Sequence, residues 1–596
     1  MTTNHTGGQL RTEFRGTLDK IQYEAVPHGP YPDTLDLVAM ARSALNYLRG
    51  NPEPARGFEC KFTLGPLGIP CHYPEWVRPN AYGYDPISLG DTDCRMEWQY
   101  AHMRAIAGES EACAVEHGVR RRVLGYLRDD GYAWINPSAY TGRPEQGYYV
   151  GTWTTAKILV TLCDVYARDG DIQARQRARQ VFEALRRLAQ WDGNRAWYMG
   201  IAPWKDGRWL LDGWCAYHGR NYPFIVEPLV HYWETCGDEE ALALAKAFTD
   251  GFLADSQPDM GTQRVEAGTG AFTGHVHIHT HAAWGVAHLG AVLGERRYTD
   301  WARQVYEFTL AHGTDHGWFP EALPQPEHRT EICVVGDMIS LGAWLAQAGM
   351  PRYWDHIERA VRNTLSRSQF YLTDAFLELF HRLHAGMPRV VVAQAVSELR
   401  RLEGGFVAQA GFDDWVSYPG HPTLGAPGIS NNGIHMMGCC PPEGMRGIWE
   451  AWRWGVVERG NDVLVNLALS REHPAARVTA YRPEDGRFEV AALKSGRFLL
   501  RPPAWASSEQ VSLTRNGVEQ PVAWSGDGNA YVVCPDVQPE DVLRLQWPVP
   551  SFRQTFHPTS VEGCCDPVTF DWVGNQVTGV TPRSRHLSMF DCERIT

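Results

Sequence analysis

Tyr166-Ala167-Arg168-Asp169-Gly170-Asp171 decides the architecture. It ends one apolar helix with glycine, the residue that most readily takes the left-handed conformation of a helix stop, and opens the next with an aspartate suited to cap it. The same punctuation recurs at Thr235-Cys236-Gly237-Asp238, Val292-Leu293-Gly294-Glu295 and Gln347-Ala348-Gly349-Met350-Pro351. The helices after such breaks, as in 173–190 and 239–252, carry apolar residues three and four positions apart and so present one stripe to a core. Helical hairpins repeating every 55 to 70 residues, roughly, predict an (α/α)6-type toroid whose loops form a concave site at one end.

Further along, the pattern shortens. Val390-Val391-Val392, Val463-Leu464-Val465-Asn466-Leu467, Phe488-Glu489-Val490-Ala491, Phe498-Leu499-Leu500 and Tyr531-Val532-Val533-Cys534 read as strands between Gly, Asp, Asn and Pro turns. A helical stretch from Glu443 to Trp454 interrupts them and is assigned to the toroid. The expected fold class is α+β multidomain: an (α/α) toroid over 1–385 with 430–456 returning to it, and β-sandwich over 386–429 and 457–596.

With 596 residues, 44% hydrophobic and 21% charged, the chain can bury an ample core. A formal net charge of −13 leaves no basic stripe for nucleic acid and favours a neutral or weakly charged substrate. Met1-Thr2-Thr3-Asn4-His5-Thr6-Gly7-Gly8 lacks the basic start and apolar core of a signal peptide, and no run of about 18 apolar residues occurs, so a cytoplasmic protein without a membrane partner is expected. In a reducing compartment the 14 cysteines are packed thiols except where they cluster with other ligands, and Cys564-Cys565, with no such company, reads as structural. The 23 tryptophans suit sugar rings, whose apolar faces stack on indole, and equally suit a core.

The chemistry concentrates in Gly438-Cys439-Cys440-Pro441-Pro442-Glu443-Gly444 and Glu331-Ile332-Cys333. Neighbouring cysteines cannot easily bond each other, because the ring is strained. Three thiolates and a carboxylate, however, complete a tetrahedral Zn²⁺ shell. Glu331, Cys333, Cys439 and Cys440 read as such a shell, whether closed and structural or catalytic, against the plainer alternative of buried thiols. His275-Val276-His277-Ile278-His279-Thr280-His281 would put four imidazoles on one side of an extended segment, but a helix entered at about His281 spoils that arrangement.

Cys-Cys-Pro-Pro followed by a helix, with Glu-x-Cys about a hundred residues earlier, resembles glycoside hydrolase family 127, the bacterial β-L-arabinofuranosidases, and its DUF1680-type relatives. Val463-Leu464-Val465-Asn466-Leu467 and Arg501-Pro502-Pro503-Ala504-Trp505-Ala506 resemble that family's sandwich strands. The resemblance implies a zinc-dependent retaining exo-glycosidase that frees a terminal furanose from a small oligosaccharide or glycoside. It implies Cys439 as both zinc ligand and nucleophile, with Cys440, Cys333 and Glu331 as the other ligands. It also implies an acid/base carboxyl at Glu321, in Phe319-Pro320-Glu321-Ala322-Leu323-Pro324, with Glu327 as rival because the segment up to Glu331 is shorter than in relatives. Substrate hydrogen bonding falls to His281 and Glu358, and His275, His277 and His279 are left as supporting groups. The chain departs from the family at Gly151-Thr152-Trp153, where relatives have Gly-His before a helix, and at Asn221-Tyr222-Pro223, where His218 stands close enough to compensate. Two other readings stay open: an (α/α)-barrel sugar epimerase or unsaturated-uronide hydrolase, and a non-catalytic carbohydrate-binding protein with structural zinc. A homodimer is an open assembly.

Overall fold

The computed structural model describes residues 31–66, 90–135, 149–197, 201–205, 208–209, 223–254, 265–324, 329–416, 434–557, 567–584 and 586–590. The four breaks read from sequence are left-handed glycines: Gly170, Gly237, Gly294 and Gly349 have φ of 66°, 75°, 68° and 101°. Asp171 starts the next helix by accepting the backbone N–H groups of Gln173 and Ala174.

Fourteen α-helices occur among the described residues: α1 (Leu37–Gly50), α2 (Asp91–Ala107), α3 (Ala114–Gly125), α4 (Thr152–Asp169), α5 (Ile172–Leu188), α6 (Val226–Cys236), α7 (Glu239–Ala254), α8 (Val276–Leu293), α9 (Arg296–Ala311), α10 (Ile332–Gln347), α11 (Tyr353–Ala360), α12 (Asp374–Leu383), α13 (Arg389–Arg400) and α14 (Cys440–Gly455). Helices α2, α4, α6, α8, α10 and α14 pack side by side in that order, and α14 closes the ring onto α2. Helices α1, α3, α5, α7, α9 and α11 lie outside it, each against an inner helix. Burial follows from position: every residue of α10 is buried, whereas α5 buries one stripe that includes Ala174, Ala178, Val181, Phe182 and Leu185. Among the described residues no helix is long and apolar enough to cross a membrane.

Residues 389–400 correct one expectation. Val390-Val391-Val392 belongs to helix α13, not to a strand. A strand would need a partner for its backbone, whereas a helix satisfies its own, and Pro388 at the N-cap suits a helix start. Val390 is 73% exposed there, while Val391 and Val392 are half-buried against the helical core, so β-branching has no sheet to reward it. Phe406, Val407, Ala408, Ala410 and Phe412 also join the helical core, so described parts of 386–429 pack with the toroid instead of a sandwich.

The sandwich proper has its own core, which includes Val463, Val465, Phe488, Val490, Phe498, Leu500, Val532, Leu543 and Leu545. One sheet orders Val456–Arg459, Asp462–Val465, Gly496–Leu500, Tyr531–Val537 and Ala523–Ser525, with one parallel pairing, between Asp462–Val465 and Gly496–Leu500. The other has six strands between Arg471 and Gln546. Arg487–Ala492 alternates half-buried and buried residues, as a strand with one face on a core must. A third sheet, Ser551–Phe556, Val568–Val573 and Gln576–Thr581, sends Val568, Phe570 and Trp572 into the helical core. Buried Arg501 ties the sandwich to α11 through Asp355 (3.0 Å) and Glu358 (3.2 Å).

Candidate metal and catalytic centre

Three inner helices begin at one end of the ring, with His275 at the N-cap of α8, Glu331 at that of α10 and Cys439 at that of α14. None of these side chains caps its own helix. The unsatisfied N–H groups and positive dipole ends of the helices favour anions there. Helices α10 and α14 come unusually close at Gly336, where a Cβ would lie 2.4 Å from the Glu443 carbonyl oxygen. That approach joins the two halves of the cysteine cluster.

The Sγ atoms of Cys333 and Cys440 are 3.4 Å apart and those of Cys439 and Cys440 3.7 Å apart, while Glu331 Oε1 is 3.9 Å from both Cys439 and Cys440. A tetrahedral ion with metal–sulfur bonds of about 2.3 Å has edges of about 3.8 Å, so the four residues fit one metal. Glu331, Cys333 and Cys440 are buried; Cys439 alone of the four is not fully so. Hydrogen bonds from Cys333 and Cys440 hold the Cys439 thiol well below its usual range against the effect of burial, and Arg95 adds to this. Burial pushes Cys333 and Cys440 up.

His275 donates from Nε2 to Glu331. Burial would raise the Glu331 carboxyl, but the charge and hydrogen bond of His275 outweigh it and hold it at about 2. Burial would likewise depress His275, and the same pair raises it to about 9. From sequence this histidine stands only among the supporting groups, with no partner assigned; its partner is Glu331. Its signal was available, since Gly274-His275 before a helix is the Gly-His pattern missing at Gly151-Thr152.

Behind the cluster runs a chain of buried charges. Glu443 is bonded by Arg95 and Arg446, which overcome burial to hold it at about 2. Arg95 also meets Asp91 (2.7 Å), which pairs with Lys157. Asp337 accepts from His277 Nδ1 (2.6 Å), Thr280 Oγ1 (2.7 Å), His281 Nδ1 (3.2 Å) and Arg446 (2.6 Å). His277, His281 and Asp337 also converge within a metal's reach. Four donors, one a guanidinium, already fill the carboxylate's lone pairs, so hydrogen bonding accounts for this group.

The histidine row lies on α8, which starts at Val276, earlier than expected. Only His275 turns to the cysteine cluster; His279 donates from Nε2 to the Thr273 carbonyl (3.2 Å), and burial lowers it to about 4. His281 is packed between Phe224 and Trp284, and burial lowers it to about 4 as well. Glu321 is brought near the cluster: Gly274 and His275 pair with Leu323 and Ala322, and the Glu321 carbonyl accepts Val276 N (2.9 Å). Its carboxylate pairs with Arg329 and accepts from Gln409 Nε2 (3.1 Å). Glu358 is placed elsewhere, at the sandwich junction, bonded by Arg362, Arg501 and Asn575. His218, Glu327, Asn221, Tyr222 and Cys564-Cys565 lie outside the described residues.

No sequence-family profile matches the chain, and no curated protein matches it by sequence. Solved structures do. A GH127 β-L-arabinofuranosidase from Geobacillus stearothermophilus T6 aligns with a TM-score of 0.55 at 15% identity, over 96% of this chain and 84% of that one. Another GH127 β-arabinofuranosidase gives 0.57 at 14% identity, over 95% and 83%. The chain has their fold. A third structure, described as a glycoside hydrolase, gives 0.56 at 13% identity, over 89% and 84%. The shared fold covers both the helical ring and the sandwich, as the two coverages require.

Proposed function

We propose that the chain is a divergent family 127 glycoside hydrolase: a zinc-dependent retaining exo-glycosidase with a thiolate nucleophile, acting on a terminal furanose such as a β-L-arabinofuranoside. The observation that carries this is Cys439, the one member of a metal-fitting tetrad that burial leaves accessible, on a toroid-plus-sandwich fold shared with GH127 β-arabinofuranosidases. Glu331, Cys333, Cys439 and Cys440 would hold the zinc. When bound, zinc would keep the sulfurs deprotonated at neutral pH.

The chain's own groups then divide the work. The Cys439 sulfur attacks the anomeric carbon, a C–S bond forms, and the glycosidic C–O bond breaks as its oxygen takes the proton of Glu321 and leaves as the alcohol. Water next gives a proton to the Glu321 carboxylate and attacks the same carbon; the C–S bond breaks and returns the thiolate. His275 orients Glu331 by its hydrogen bond. Because the Glu358 carboxylate is committed to Arg362 and Arg501, sugar hydroxyls fall to groups nearer Cys439.

A screen of nitrophenyl furanosides and pyranosides, with metal analysis, tests the reading. The expected results are about one zinc per chain, furanoside turnover by the wild type, and none by Cys439→Ser. Glu321→Gln should keep zinc and lose about 10²–10⁴-fold on unactivated glycosides, less on aryl glycosides, whose leaving groups need little protonation. Full activity of Cys439→Ser would refute the thiolate mechanism.

A further inference from the structure

We propose that Gln409, which the sequence reading did not single out, is the positioning residue for the acid/base carboxyl of Glu321; this rests on the glycosidase reading above. Its placement is the first argument. The segment around it is hydrogen-bonded on one side to the residues delivering Glu331 and Cys333, through Ile332 N to Ala408 O (3.0 Å) and Thr330 N to Ala410 O (2.8 Å). On the other side, Ala408 N meets His435 O (2.6 Å), four residues ahead of Cys439. The segment is thus hydrogen-bonded to both halves of the cysteine cluster. The backbone bends at Ala408 and Gln409, and Ala408, Gln409 and Ala410 are all buried.

The second argument is the contact. Gln409 is 5% exposed, and its Nε2 donates to Glu321 Oε2 at 3.1 Å. An ionised carboxylate only accepts, so the amide must turn its NH₂ to it. Arg329 pairs with the same oxygen. Both donors therefore meet one oxygen of the carboxyl, Arg329 from its own loop and Gln409 from across the site. Of the two grips, Gln409 is the neutral one, fixed by backbone bonds to the metal-binding segments, and it couples the carboxyl's position to that of the nucleophile.

A donor to the charged form also biases the proton. It favours the carboxylate, so its loss should raise the carboxyl's titration midpoint. Charged groups that face Glu321 among the described residues include Arg329 and His275, with Glu331 and Cys439 beyond His275. None of them changes in Gln409→Met, which keeps the length and removes the amide.

The pH profile of kcat/KM on an unactivated furanoside separates positioning from mere structure. The basic limb reports the acid that must be protonated in the first step. In Gln409→Met it should move up by about one pH unit, with kcat at the new optimum lower by about tenfold and zinc content unchanged. Gln409→Glu, placing a like charge beside the carboxyl, should move it further. A uniform loss of rate with the limb where the wild type has it would overturn the proposal. If the wild type hydrolyses no glycoside, the glycosidase reading fails by itself, and carboxyl titration of ¹³C-glutamate protein, with the Glu321 signal assigned by Glu321→Gln, decides instead. A raised Glu321 midpoint in Gln409→Met then supports the coupling, and an unmoved one overturns it.

Discussion

Gly336→Ala tests the contact that brings the two cysteine segments together. A Cβ at Gly336 would stand 2.4 Å from the Glu443 carbonyl oxygen and 3.1 Å from its carbon, both backbone atoms with no side-chain freedom to yield. Helices α10 and α14 would have to part by about 1 Å, an overpacking of the kind that costs about 1–3 kcal/mol. Cys333 and Cys440 each lie one helical turn before the clash, so the separation reaches the sulfurs, now 3.4 Å apart. Metal–ligand distances tolerate about ±0.2 Å, much less than this displacement. The variant should therefore lose most of its metal, and its denaturant unfolding should become insensitive to a chelator that destabilises the wild type. Elemental analysis and unfolding midpoints read both effects. Gly342→Ala is the control on the same helix: its Cβ would meet side-chain atoms of Tyr306 (3.2 Å) and Ile357 (3.3 Å), which can yield where backbone cannot, and it should keep its zinc. Wild-type metal content and stability in Gly336→Ala would refute the claim that this approach assembles the site.

Two further outcomes follow from buried charges. Asp164 and His231 pair at 2.9 Å inside the ring, and although burial opposes it, Asp164 raises His231 to about 9 from 6.5. A raised folded value means that the pair's stabilisation, a few kcal/mol at about 1.4 per unit, is complete below pH 6.5 and fades as pH rises through 9. Thermal unfolding should show this loss in the wild type and a flatter profile in His231→Asn; equal slopes would show that the pair contributes nothing. Arg501→Ala should take the shared guanidinium from the buried Asp355 and Glu358 carboxylates at the junction, cost about 3–5 kcal/mol, and split calorimetric unfolding into separate sandwich and toroid transitions. Arg501→Lys should rescue little, since one ammonium cannot reproduce a guanidinium shared between two carboxylates; a single unshifted transition in Arg501→Ala would contradict this account of the junction.

The sequence by itself determined what is written within a turn or two of chain. Gly170, Gly237, Gly294 and Gly349 announce the helix stops, Asp171 a start, and the alternation in Arg487–Ala492 a half-buried strand, because caps and periodicity depend on local backbone geometry alone. The ligand types in Glu331-Ile332-Cys333 and Cys439-Cys440 were legible for the same reason, since their chemistry is that of the residues themselves. Only the tertiary structure decided that α14 closes the inner ring onto α2, that Val390-Val391-Val392 is helical, and that of the histidine row His275 reaches Glu331. It also decided that Glu358 serves Arg501 and that Gln409 meets Glu321 from 88 positions away. Such pairings depend on how far one packed helix is shifted and rotated against another, to within the fraction of an ångström that a glycine at position 336 permits. No residue carries that quantity; it exists only when the ring has closed.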